Sequence, residues 1–140
     1  MNIESKYKLA KIKNGKSFYG EVILHIEASK KQEIIEAYNG TGFMGQGALE
    51  IIPPKGYDDW KQAIKLGINY GLDKVTDKRK FKVTIVEGSG LTTDTNSTIL
   101  AFVASRAILE KIENNESTIE KEKFEKLVYS SWNDNFVGEI

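Results

Sequence analysis

FYGEVILHIEA, residues 18–28, is the most regular stretch of the chain, since apolar and polar side chains alternate along it. Val22, Leu24 and Ile26 fall on one side, and Glu21 and Glu27 fall on the other. Strict alternation with many β-branched residues is typical of a strand that buries one face. We therefore predict that residues 18–28 form the strand on which a sheet is built.

A hairpin precedes this strand. Asn14-Gly15, within KNGK at residues 13–16, is the favoured pair for a two-residue turn because both positions accept positive φ. Before it, YKLAKI at residues 7–12 mixes lysines with apolar residues, as an exposed edge strand does. The pattern predicts two antiparallel strands.

Three later runs also favour β structure. QEIIEAY (32–38) and FKVTIVEG (81–88) are predicted strands, and ALEII (48–52) is a shorter β-like run that ends at Pro53.

Three helices are predicted between and after these strands. The first covers residues 57–75, where Asp58 and Asp59 suit a capping and dipole role at its start. The second covers 96–112 and begins with a cap at Asn96 or Ser97.

The third helix begins with STIE (117–120), a capping box of Ser117 and Glu120. Its apolar residues are predicted to share one packing face: Ile119, Phe124, Leu127, Val128 and Trp132.

This order of elements predicts an α+β fold, a two-layer sandwich in which a mixed sheet of about four strands packs against two helices, with an extra C-terminal helix. A chain of 140 residues is the size of one domain, and we expect 1–140 to form one. Its core would cover 6–113, and 114–140 would be a C-terminal helical extension.

Charge is balanced, with 20 basic and 20 acidic residues, which argues against a dedicated high-affinity nucleic-acid binder. Two segments are nevertheless basic: residues 1–16 and 74–82 each carry five cationic side chains against one carboxylate. Cysteine is absent, which excludes disulfides and thiol catalysis. No apolar run reaches membrane-span length, so we expect a soluble, cytoplasmic protein without membrane contact.

The loop NGTGFMGQG, residues 39–47, places Gly40, Gly42 and Gly45 at the G-x-G-x-x-G spacing of dinucleotide sites. That site needs a helix directly after the loop, whose free N–H groups meet the phosphates. Only ALEII follows, so a flexible or bulged connection is the preferred interpretation, and phosphate or nucleotide binding remains an alternative.

Other candidates for chemistry are isolated. His25 is the single histidine, for which a packed or rim position is the simpler interpretation, and Asp94 lies in the hydroxyl-rich segment GLTTDTNST (90–98) without a base to activate a nucleophile. We predict no catalytic residue, no cofactor and no metal site.

The hairpin carries a basic and aromatic grouping. Lys11, Lys13 and Lys16 surround Tyr19 in the sequence, and such groupings contact RNA phosphates and stack on bases. A solvated edge whose lysines prevent aggregation is the competing interpretation.

Two motifs resemble the fourth domain of translation elongation factor G and related ribosome-protection proteins. GKSFYGEV (15–22) is similar to a family loop at Tyr19, Gly20 and Val22. GSGLTTDTNSTILAF (88–102) is similar to a second loop, with two extra residues, at Gly88, Ser89, Asp94, Ser97, Ala101 and Phe102. The resemblance covers about residues 6–113.

The resemblance implies a left-handed βαβ crossover and a domain tip formed by two loops, here residues 14–20 and 91–97. In the family these loops reach into the decoding site of the ribosome beside transfer and messenger RNA. The sequence departs from the pattern at Thr93, where the family has a histidine, and it contains no GTPase domain.

The leading hypothesis is thus a stand-alone, non-catalytic domain that binds ribosomal or structured RNA. Its contact residues would be Lys11, Lys13, Asn14, Lys16, Tyr19, Thr93 and Asp94. A protein-interaction module that has lost the RNA role is the main alternative. Oligomeric state and the identity of the partner stay open.

Overall fold

The computed structural model describes residues 2–43, 49–112 and 117–134. In chain order the elements are β1 (Asn2–Lys13), β2 (Lys16–Ser29), β3 (Glu33–Glu36), β4 (Gly42–Phe43), β5 (Leu49–Ile51), α1 (Asp58–Lys74), β6 (Lys80–Leu91), α2 (Ser97–Leu109) and α3 (Thr118–Asp134).

The six strands form one mixed sheet with β6 at its centre. Strand β2 pairs antiparallel with β1 on one side and with β6 on the other. The far edge of β6 is shared by β3, which runs parallel to it, and by β5, which runs antiparallel and pairs in turn with β4. The predicted α+β class is confirmed, and the short strands β4 and β5 extend the sheet. The left hand of the β3–α1–β6 crossover stays a prediction.

The predicted hairpin is present, with Asn14 at φ 53° and Gly15 at φ 77°. Strand β1 pairs with β2 over its whole length and starts at Asn2, earlier than the predicted Tyr7. Its first half holds a polar residue at a core position, Ser5, whose hydroxyl donates to the Ala107 carbonyl at 2.6 Å. This long-range bond explains why local apolar alternation predicts too short a strand.

One face of the sheet packs against the helices, and the other is open to solvent. Val22, Leu24 and Ile26 are completely buried under the helices, as their alternation predicts. The pairing of β2 with β6 skips one residue, because Ile23 lies opposite Glu87 whereas the next residue, Leu24, lies opposite Ile85. Val86 of β6 therefore has no partner on β2.

Helix α2 lies at the centre of the helical layer, where it is buried from Thr98 to Leu109. Helix α1 packs closely on it because Gly67 and Gly71 have no side chains. A Cβ at Gly67 would collide with the Ala101 carbonyl, and one at Gly71 would lie 2.8 Å from the Ile108 Cβ.

The helix caps agree with prediction in two cases and differ in one. Asn96 Oδ1 accepts from the Ile99 amide at 2.9 Å, and Ser117 Oγ accepts from the Glu120 amide at 3.1 Å. The predicted capping role of Asp58 and Asp59 is wrong, because the cap position of α1 is Tyr57, in left-handed geometry with no side-chain cap. Both aspartates lie in the first turn, where the helix dipole favours them.

The predicted packing face of α3 is correct only in its centre. Phe124 and Val128 are buried, whereas Ile119 is 66% and Trp132 38% exposed. Ile119 lies five residues from Phe124, roughly 140° around the helix at 3.6 residues per turn, and so points away from α2.

Within the described ranges, no helix combines the length and apolar character that a membrane crossing requires.

Candidate functional site at the hairpin end of the sheet

Two distant loops meet at one end of the sheet. The Tyr19 amide donates to the Asp94 carbonyl at 2.8 Å. The Thr95 hydroxyl donates to the Tyr19 carbonyl at 2.6 Å and accepts from the Leu91 amide at 2.8 Å. Residues 14–20 and 91–97 therefore form one surface, which we call the hairpin end.

Thr95 joins the two loops, yet the sequence did not single it out. The segment TTDTNS offers several equivalent hydroxyls, and only the fold shows which one is buried. Thr95 occupies the space that Gly90 leaves, since a Cβ at Gly90 would lie 2.6 Å from its Oγ1.

A groove of about 440 Å³ lies at the hairpin end, between the hairpin and residues 91–94. Its lining includes Ala10, Ile12, Tyr19, Leu91 and Asp94. Ile12 is 78% exposed, an unusual position for a large apolar side chain. Burial raises the pKa of Tyr19, and the charge of nearby Glu21 raises it further.

The predicted cluster of lysines around Tyr19 is divided between the two faces of the sheet. Lys11 pairs in register with the buried Phe18, so it lies on the helix side. Tyr19 pairs with Ala10, and neighbouring residues of a strand point to opposite faces. Lys13 and Lys16 pair with each other on the helix side as well.

Lys8 takes the place beside Tyr19 that the sequence assigned to the other lysines. It lies two residues from Ala10, and its Nζ is 5.6 Å from the centre of the Tyr19 ring. Once Ala10 is paired with Tyr19, the alternation of side chains places Lys8 on the same face of the sheet as Tyr19. Distance along the sequence does not show this.

Helix α3 covers the helix side of the hairpin. Lys13 Nζ lies 4.4 Å from the centre of the Tyr129 ring, in a hollow shared with Glu122 and Glu125. Burial, followed by the charge of Glu125, raises the pKa of Tyr129. The Trp132 indole N–H donates to the Ser17 carbonyl at 3.3 Å. Lys13 is therefore engaged by the C-terminal extension rather than presented freely.

The remaining predicted residues lie on the rim. Asn14 is exposed at the turn, and Thr93 is exposed with its hydroxyl 3.1 Å from Asp94 Oδ1. Thr93 and Asp94 thus present a hydroxyl and a carboxylate beside the groove.

The glycine loop leads into strands rather than a helix. Gly42 begins β4, and β5 follows, while Gly45 and Ala48 lie outside the described residues. Gly40 has a packing role, since a Cβ there would collide with the Ile51 carbonyl. A dinucleotide site requires a helix directly after the glycine loop, whereas here β5 and two prolines stand between the loop and α1.

Other polar candidates remain apart from the groove. His25 is exposed on the open face, and Asp58 and Asp59 line a shallow hollow beside Tyr57. In the part of the chain that the structure describes, no three histidine or carboxylate side chains are grouped to hold a metal ion.

Comparison with known proteins shows the fold alone. Neither a family model nor a curated protein matches the chain. Among solved structures, a crystal structure of a protein from Thermus thermophilus is similar, with a TM-score of 0.56 and 21% identity. The match covers 78% of this chain but only 15% of the Thermus chain. The fold described here therefore corresponds to a small part of the Thermus protein.

Proposed function

We propose that this chain is a non-catalytic domain that binds structured or ribosomal RNA through the hairpin end. The observation that carries the proposal is the direct hydrogen bonding between Tyr19 and residues 94–95. The resemblance of these two loops to the tip of the fourth domain of elongation factor G supports RNA as the ligand.

The chemistry of the hairpin end is suited to an unpaired nucleotide. The Tyr19 ring and the exposed Ile12 give a base an apolar surface, and stacking on an aromatic ring contributes about 1–3 kcal/mol per base. Lys8 lies beside that ring, and Lys11 lines the groove, where each can neutralise a phosphate. Asp94 can accept a hydrogen bond from a ribose 2′-hydroxyl.

The test is binding of a labelled RNA stem-loop, and of ribosomes by sedimentation, across a range of salt. Changing both Lys8→Glu and Lys11→Glu should lower affinity at least about tenfold and reduce the salt slope by about 1.4, if each lysine neutralises one phosphate. Tyr19→Leu should weaken binding about 5- to 150-fold with the salt slope unchanged.

The matched control is Lys55→Glu with Lys111→Glu, two exposed lysines away from the groove. Equal losses in this control and in the hairpin variant would show a general charge effect and contradict the proposal, as would salt-independent binding.

A protein-interaction module is the second candidate, and the exposure of Ile12 together with the apolar Leu91 in the groove favours it. In that case one protein partner should be captured in stoichiometric amount, its binding should survive the lysine changes, and Ile12→Ser should abolish it.

A further inference from the structure

A second basic surface is created by the way the chain passes around the start of β6. Strand β2 ends beside β6, with Ser29 opposite Lys80. Strand β3 begins on the other edge of β6, with Glu33 opposite Lys82. Residues 30–32 must therefore cross the beginning of β6, which brings Lys30 and Lys31 next to residues 78–80.

This crossing concentrates positive charge from two segments that are far apart in sequence. Residues 28–32 and 76–81 together carry five cationic side chains and one carboxylate, Asp77. The five cations, which are all exposed, are Lys30, Lys31, Lys78, Arg79 and Lys80. We call these five residues the basic pole.

The single carboxylate compensates only one of these charges. Asp77 accepts three hydrogen bonds from the Arg79 guanidinium, with Nη2 at 2.6 Å from Oδ2, and this pairing lowers the pKa of Asp77. Lys78 Nζ donates to the Val75 carbonyl. Among the described residues, Lys30, Lys31 and Lys80 form no ion pair, so their charge is available to a ligand.

The basic pole is separate from the hairpin end. Strand β2 connects the two, and its 14 residues span about 45 Å at the usual rise per residue. The hairpin lysine Lys13 faces a hollow lined by Glu122 and Glu125.

We propose that the basic pole binds the phosphodiester backbone of nucleic acid without reading its sequence. Lysine ammonium groups on exposed turns neutralise phosphates as point charges. A lipid surface fits less well, because stable membrane binding usually adds the burial of apolar side chains to the electrostatic attraction. The exposed large apolar residues of the described chain, Ile12 and Phe43 among them, lie outside the two segments of the pole.

The test compares three variants in binding a labelled 20-nucleotide single-stranded RNA at several salt concentrations. The pole variant combines Lys30→Glu, Lys31→Glu and Lys80→Glu, the hairpin variant combines Lys8→Glu and Lys11→Glu, and the control is Lys55→Glu with Lys111→Glu. The pole variant should reduce the salt slope by about 2 and the low-salt affinity at least about tenfold, at about 0.7 per phosphate for single strands. Unfolding midpoints should stay close to the wild-type value because every changed residue is exposed.

The same experiment separates this proposal from the one on the hairpin end. Loss in the pole variant but not in the hairpin variant would support the pole and contradict the hairpin site, and the reverse would overturn the pole. Binding of poly-glutamate or phosphatidylserine vesicles in place of RNA would also overturn it.

A short probe gives a second readout. A hexanucleotide spans roughly 20 Å at the helical rise per nucleotide and cannot bridge the two surfaces. If both surfaces bind RNA, each molecule of wild-type protein should bind two hexanucleotides. Each molecule of the pole variant should bind one. Unchanged stoichiometry in the pole variant would contradict the inference.

Discussion

At the scale of single residues, two tyrosines near the glycine loop have opposite environments. Tyr38 is 6% exposed, and its hydroxyl has no hydrogen-bond partner among the described residues. Tyr57 is held in left-handed geometry, and its hydroxyl donates to Glu50 at 2.7 Å. A buried hydroxyl without a partner opposes folding, whereas a bonded one favours it.

Tyr38→Phe should therefore raise the free energy of unfolding by about 1 kcal/mol, because it removes an unpartnered polar group and keeps the ring. Urea unfolding at pH 7 is the measurement. The control, Tyr57→Phe, should lower that free energy by about 1 kcal/mol through loss of the bond to Glu50.

Burial also raises the pKa of Tyr38 above its ordinary value of 10.0, so the folded chain keeps a proton that the unfolded chain loses. The stability from this group is complete below pH 10 and is lost as pH rises above it. Tyr38→Phe should thus lose less stability than wild type between pH 7 and 10.5. Equal losses in the two proteins would contradict the burial of this phenol.

At the scale of elements, the contact of α1 with α2 depends on the absence of side chains. Gly67 and Gly71 weaken α1 as an isolated helix, because glycine has poor helix propensity. They also let its backbone approach Ala101 and Ile108. The sequence pattern showed only the poor helix propensity of these glycines, and not the close approach of the helices that they permit.

Gly67→Ala should lower the free energy of unfolding by about 1–3 kcal/mol, since overpacking outweighs the gain of about 1 kcal/mol in helix propensity. The matched control is Asn69→Ala on the exposed side of the same helix, which should be neutral or stabilising. Both are measured by urea unfolding, and a stabilised Gly67→Ala protein would show that α1 and α2 are less closely packed than described.

At the scale of the whole molecule, α3 joins the helical layer to the hairpin. Phe124 packs edge-on against Tyr70 of α1 and Phe102 of α2, while Tyr129 packs against Phe18 of β2. Asn96, the cap of α2, donates to Ser131 at 2.7 Å. The C-terminal helix thus packs against the hairpin end on the helix side of the sheet.

Phe124→Ala should lower the free energy of unfolding by about 3–5 kcal/mol, as large-to-small changes of buried aromatic residues do. Ile119→Ala on the same helix should change it by no more than about 0.5 kcal/mol, because Ile119 is mostly exposed. A small effect of Phe124→Ala would mean that α3 is not an integral part of the core.

The sequence by itself determined the local elements and the fold class. Alternation at residues 18–28, the Asn14-Gly15 turn and the cap at Asn96 act over a few neighbouring residues, so they can be recognised without a structure. The convergence of the two loops came from a family resemblance rather than from any local pattern.

Only the tertiary structure decided which face of the sheet each side chain occupies and which distant groups meet. A one-residue change of register moves a strand side chain to the opposite face, so nearness to Tyr19 in sequence could not separate Lys8 from Lys11. Likewise, Thr95 and the basic pole depend on contacts between segments far apart in the chain. Such contacts follow from strand pairing across the whole sheet, which no short stretch of sequence specifies.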